Sequence, residues 1–112
     1  MNLSKLVKEV VIDDKEYIMT FDMRSILKYK ELSSKTFTQG INALVAGDDE
    51  EAMYFIASML RKKEKPTELV GEKIFEGNVI ELLLNFKNIA IEVVLDSLSS
   101  DNSKKKRTQV ES

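Results

Sequence analysis

Residues 10–22 run Val10-Val11-Ile12-Asp13-Asp14-Lys15-Glu16-Tyr17-Ile18-Met19-Thr20-Phe21-Asp22. Two apolar runs flank a polar cluster, and in the second run Tyr17, Met19 and Phe21 alternate with Ile18, Thr20 and Asp22. Alternation with a period of two marks a half-buried strand, and the acidic cluster between the runs is a turn signal. A two-residue loop pairs Ile12 with Lys15 and Val10 with Tyr17. A four-residue loop pairs Ile12 with Tyr17 and Val10 with Met19. Both place Val10, Ile12, Tyr17, Met19 and Phe21 on one face, because side chains alternate along a strand whichever register is used. A lone hairpin is marginally stable, so that face requires helices or another chain to cover it.

Beyond the hairpin the apolar spacing becomes helical. Asp22 stands where an N-cap is needed, and Met23, Ile26, Leu27 and Lys30 follow at helical spacing as far as Ser33-Ser34. Thr36-Phe37-Thr38-Gln39 has capping-box form, with Phe37, Ile41, Leu44 and Val45 on one stripe and Gly47 at the C′ position. A third helix is predicted to open at Asp48 and run through 49–62. Ala52, Phe55, Ile56, Met59 and Leu60 form its inner face, with acids at its start and Arg61, Lys62 and Lys63 at its end, as the helix dipole favours. Pro66 interrupts the helical pattern, leaving room for a short turn of helix before Gly77. Residues 79–98 then form one long helix. Its polar stripe of Glu81, Asn85, Asn88, Glu92 and Asp96 covers roughly 80° of circumference. The expected fold is α+β and mostly α-helical, an N-terminal β-hairpin packed on about four helices. Residues 1–98 form a single domain and 99–112 a disordered polar and basic tail.

Composition narrows the function. The 112 residues hold 17 Lys+Arg and 19 Asp+Glu, with no His and no Cys. That length accommodates one core. The missing residue types exclude zinc fingers, thiol nucleophiles and histidine general bases. Asp13-Asp14 and Asp48-Asp49-Glu50-Glu51 are explained by a turn and a helix N-terminus. The acidic run lacks the spacing of an EF-hand loop. No catalytic, cofactor-binding or metal-binding residues are assigned, and no enzyme activity is expected. The tail carries net +2, which leaves net −4 on the body, so a nucleic-acid partner is not expected. A membrane partner is not expected either, since every long apolar stretch is broken by Glu, Asn or Asp. The run Lys104-Lys105-Lys106-Arg107 reads as a solvated tail, as a weak salt-sensitive contact to an anionic surface, or as the trace of an A-rich slippery site in the gene.

The apolar arc of the last helix is about twice what a surface helix needs. Either that helix is central and wrapped on all sides, or one edge remains for a partner. One division sends Val79, Leu83, Phe86, Ala90 and Val94 to the core and leaves Ile80, Leu84, Ile91, Leu95 and Leu98 as a partner or oligomer seam. The reverse division is equally compatible with the spacing.

The hairpin Val11-Ile12-Asp13-Asp14-Lys15-Glu16-Tyr17, the helix opening near Asp22 and the capped helices after it resemble the tail assembly chaperones of long-tailed, siphovirus-type bacteriophages and prophages. The resemblance covers about residues 8–98. In that family the turn often reads Ile-Asp-Gly-Lys-Glu-Tyr, and Asp14 stands here in place of the Gly. The resemblance implies a non-enzymatic protein in the cytoplasm of the bacterial host. It would bind the tape measure protein and keep its apolar helices dissolved while the tail tube assembles. It also implies a longer form, made by programmed frameshifting near Lys104-Lys105-Lys106, that recruits tail tube protein. A self-associating adaptor that binds no tape measure protein is the alternative, and a homo-oligomer is compatible with either.

Overall fold

The computed structural model describes the backbone of residues 7–111 and the side chains of 7–98. Strand β1 (Lys8–Ile12) and strand β2 (Lys15–Met19) form the expected hairpin. The two-residue alternative is the one adopted, pairing Ile12 with Lys15 and Val10 with Tyr17. Asp13 and Asp14 both have positive φ, 52° and 66°, as a type I′ turn requires. This turn matches the twist of the flanking strands, and Asp tolerates the left-handed region better than most residues. Val10, Met19 and Phe21 are buried and Ile12 and Tyr17 pack against the core, so the five residues share the inner face.

Helix α1 (Met23–Ser33) starts at Asp22, whose carboxylate accepts the Ser25 N–H while the Ser25 hydroxyl accepts the Asp22 N–H. Its apolar Met23 and Leu27 face outward, and Ser25 and Tyr29 are the buried pair. Helix α2 (Phe37–Val45) carries the predicted Thr36–Gln39 capping box, and Gly47 after it has φ 93°.

Helix α3 (Asp49–Met59) departs from expectation at its end. Leu60–Lys62 is not the last turn of that helix but a third strand, β3, antiparallel to β2 and pairing Tyr17 with Lys62, Ile18 with Arg61 and Met19 with Leu60. The sheet order is β1-β2-β3. The reason is tertiary. One edge of β2 offers unpaired N–H and C=O groups, and a chain leaving α3 beside it satisfies them better than another helical turn ending in solvent. Arg61, predicted to sit at a helix C-terminus, is instead buried and ion-paired to Asp22.

A 3₁₀ helix (Gly71–Glu76) occupies the short-turn segment, and α4 (Val79–Glu111) is the long last helix. The helix continues past residue 98 because neither Gly nor Pro follows to stop it. The side chains of the expected tail at 99–112, its basic run included, lie outside the described residues.

The fold is α+β and mostly helical. Its core has α3 at the centre: from Glu51 to Met59 every residue except Tyr54 is buried. Phe55 stacks on Tyr29 with centroids 4.2 Å apart, and Phe21 and Phe37 pack around it at 6.2 Å. Phe86, Ala90, Val93 and Val94 of α4 complete the core from one side.

Candidate protein-binding surface

Two polar assemblies brace the core, and each pairs its buried charge with an opposite one. Arg61 donates to Asp22 through two nitrogens, at 2.6 and 3.0 Å, and also to the Ser25 hydroxyl and the Pro66 carbonyl. Its buried Nε has no hydrogen-bond partner among the described residues. Burial raises the Asp22 carboxyl, but the hydrogen bond and charge of Arg61, with the N–H groups of Ser25 and Arg24, bring it below its ordinary value. In the second assembly the Tyr29 hydroxyl donates to Glu51, and Lys35 donates to the other carboxylate oxygen. Burial first, and then the bond to Glu51, hold the Tyr29 phenol well above its usual range. Glu51 was expected only as an acid at a helix start. The Asp48 side chain caps its N–H, and its own carboxylate turns inward to tie α1, α3 and the segment before α2 together. These are braces between elements. Among the described residues no group of three or more His, Cys, Asp or Glu side chains is gathered to hold a metal ion. No described helix is long and apolar enough to cross a membrane.

Exposed apolar side chains stand on several elements, Val11 on β1, Met23 and Leu27 on α1 and Val45 on α2 among them, and the two most exposed are on α4. Ile80, Leu84, Ile91, Leu95 and Leu98 fall within about 60° of its circumference, on the basis of 100° per residue. Ile80 is 71% exposed, Leu84 79% and Leu95 37%, while Ile91 and Leu98 are half-buried. Phe86, Ala90 and Val94 face the core, with Val79 and Leu83 half-buried at its margin. The seam is therefore open at its N-terminal end and partly covered toward Leu98. Lys87 lies beside it and reaches across to the α2–α3 turn, donating to the Gly47 carbonyl at 2.6 Å and to Asp49 at 2.7 Å.

Next to the open end is a shallow groove of about 370 Å³, floored by Met53, Tyr54, Phe75, Val79 and Leu83 and edged by Asp49 and Glu50. Tyr54 meets Phe75 edge-on at 6.1 Å, which fixes the 3₁₀ helix against α3. Sequence reasoning did not find the α3 and 3₁₀ side of this groove. Phe75 is the one aromatic residue in an otherwise polar and aliphatic stretch, and it was the available signal. A second cavity, about 510 Å³, lies between the hairpin tip and the 3₁₀ helix. Its charged lining is mixed, with Lys15, Lys62 and Lys73 alongside Asp13, Glu68 and Glu81.

Compared with protein-family models, curated proteins and solved structures, the chain matches none.

Proposed function

We propose that the protein is a non-enzymatic tail assembly chaperone. It binds the tape measure protein in the cytoplasm of the bacterial host and keeps it dissolved during tail tube assembly. A longer frameshifted form of the chain bridges to tail tube protein. The observation that carries this reading is the exposure of Ile80 and Leu84 beside an apolar groove, on a helix otherwise used to build the core. Each such side chain gains about 1.5–3 kcal/mol when buried, so the surface is suited to an apolar client helix. The order of hairpin and capped helices supports the same reading through the family resemblance.

The test is co-expression with a tape measure protein of a long-tailed phage or prophage that carries this gene. Recovery of the tape measure protein in the soluble fraction, co-purifying with this chain, is the expected result. A tape measure protein that precipitates equally with and without the chain would leave the self-associating adaptor as the better account.

A further inference from the structure

We infer that the groove between α3, the 3₁₀ helix and α4 takes an amphipathic helix of another protein whose apolar face is bordered by lysine or arginine. The inference rests on the chaperone reading and names the chemistry of the client segment.

The groove floor is apolar, and its walls are helical elements. An apolar stripe with helical spacing fills such a space by setting side chains between those of the floor. Ile80 and Leu84 extend the floor outward along α4, so the docked helix rests on both.

The margins decide which helix. Asp49 and Glu50 edge the groove on the α3 side. Glu76 follows Phe75 and is exposed, and Glu81 borders the seam on the far side of α4. Among the described residues Glu50 and Glu76 form no hydrogen bond or ion pair, although Lys35, bonded to Glu51, feels the Glu50 charge from nearby. The nearest lysine on α4, Lys87, is already engaged by the Gly47 carbonyl and Asp49. A docked helix therefore meets carboxylates on both sides, of which Asp49 is already paired with Lys87, and the groove lining itself carries no lysine or arginine among the described residues. A second copy of this chain would bring its own acidic margins against these, with net −4 on each body, and like charges across an interface oppose docking. Basic borders complement the rim. They accelerate encounter and orient the helix, while the apolar contact holds it.

The experiment uses the full chain and two labelled peptides of about 20 residues, long enough to span the floor at 1.5 Å per residue. Both carry the same leucine stripe, one with lysine borders and one with glutamate borders. The lysine peptide is expected to bind, more weakly as salt is raised. Glu50→Lys and Leu84→Ser, both at exposed positions, are each expected to weaken binding about tenfold, or about 1.4 kcal/mol. Circular dichroism should confirm that both variants keep the parent's helicity, with Glu50→Gln in reserve. Equal binding of the glutamate peptide, or binding indifferent to both substitutions, would overturn the inference. A parent dimer that Leu84→Ser dissociates, with neither peptide bound, would assign the groove to a second copy instead. The two levels separate cleanly. If the peptide results hold but the tape measure protein still precipitates, the chaperone reading fails alone. If both variants keep the tape measure protein soluble as well as the parent does, the groove assignment fails alone.

Discussion

At Asp13 and Asp14 the backbone passes twice through the left-handed region, where a side chain costs roughly 1 kcal/mol and Gly costs nothing. Asp14→Gly is therefore expected to raise stability by about 0.5–1 kcal/mol, read as a higher urea midpoint. An unchanged or lower midpoint would contradict the type I′ geometry. Gly40 has the opposite character. A Cβ there would lie 1.7 Å from the Tyr29 hydroxyl oxygen, on a ring already stacked on Phe55 and bonded to Glu51. Gly40→Ala is expected to lower stability by about 1–3 kcal/mol, because the ring cannot move without breaking both contacts. The Asp22–Arg61 pair makes a prediction about acid. The folded carboxyl titrates below the ordinary 3.8, so its contribution is complete above that pH and is lost as pH falls through the lower folded value. Asp22→Asn keeps a competent N-cap and removes the charge. It should cost about 2 kcal/mol at pH 7 and flatten the loss of stability below pH 4 relative to the parent. Urea titrations at several pH values measure both effects.

Among the elements, those announced by short-range chemistry were legible in the sequence. The hairpin face, the caps at Asp22, Thr36 and Asp48, and Gly47 all follow from backbone needs that neighbouring side chains satisfy. What was not legible depends on distant partners. β3 exists because β2 has an edge to pair, some 45 residues earlier in the chain, and nothing within Leu60-Arg61-Lys62 reports that edge. Tyr29 faces the core although the apolar spacing of α1 favours Met23 and Leu27, because Glu51 and Gly40 provide a partner and a space for it. The candidate surface was half visible. The α4 side follows from helical periodicity, whereas the α3 and 3₁₀ side depends on how Pro66 and Gly77 route the chain back. Leu84→Glu changes a side chain 79% exposed and is expected to leave the thermal melt within about 0.5 kcal/mol of the parent. A large loss would move α4's seam into the core. Phe55→Asp, with no exposure at all, should abolish folding, because the charge has no partner in the aromatic cluster.

For the molecule as a whole, the division of labour between α3 and α4 governs behaviour. α3 is enclosed on nearly all sides, whereas α4 gives one face to the core and leaves Ile80 and Leu84 outside. The sheet has a further property that bears on how the protein comes into being. β3 ends at Lys62, so the three strands, the aromatic cluster of Phe21, Tyr29, Phe37 and Phe55, and the charged side chains of both polar braces are all drawn from the first 62 residues, with the Pro66 carbonyl and the pairing of Leu69 and Val70 on β3 added just after them. A chain made from its N-terminus thus completes its sheet and aromatic cluster before α4, which covers the remaining side of α3, has been added. Phe86, Ala90, Val93 and Val94 then have a single place to be buried, the side of α3 that the earlier elements leave uncovered. Anything that occupies that side of α3 before α4 arrives would hold the protein open at one defined seam.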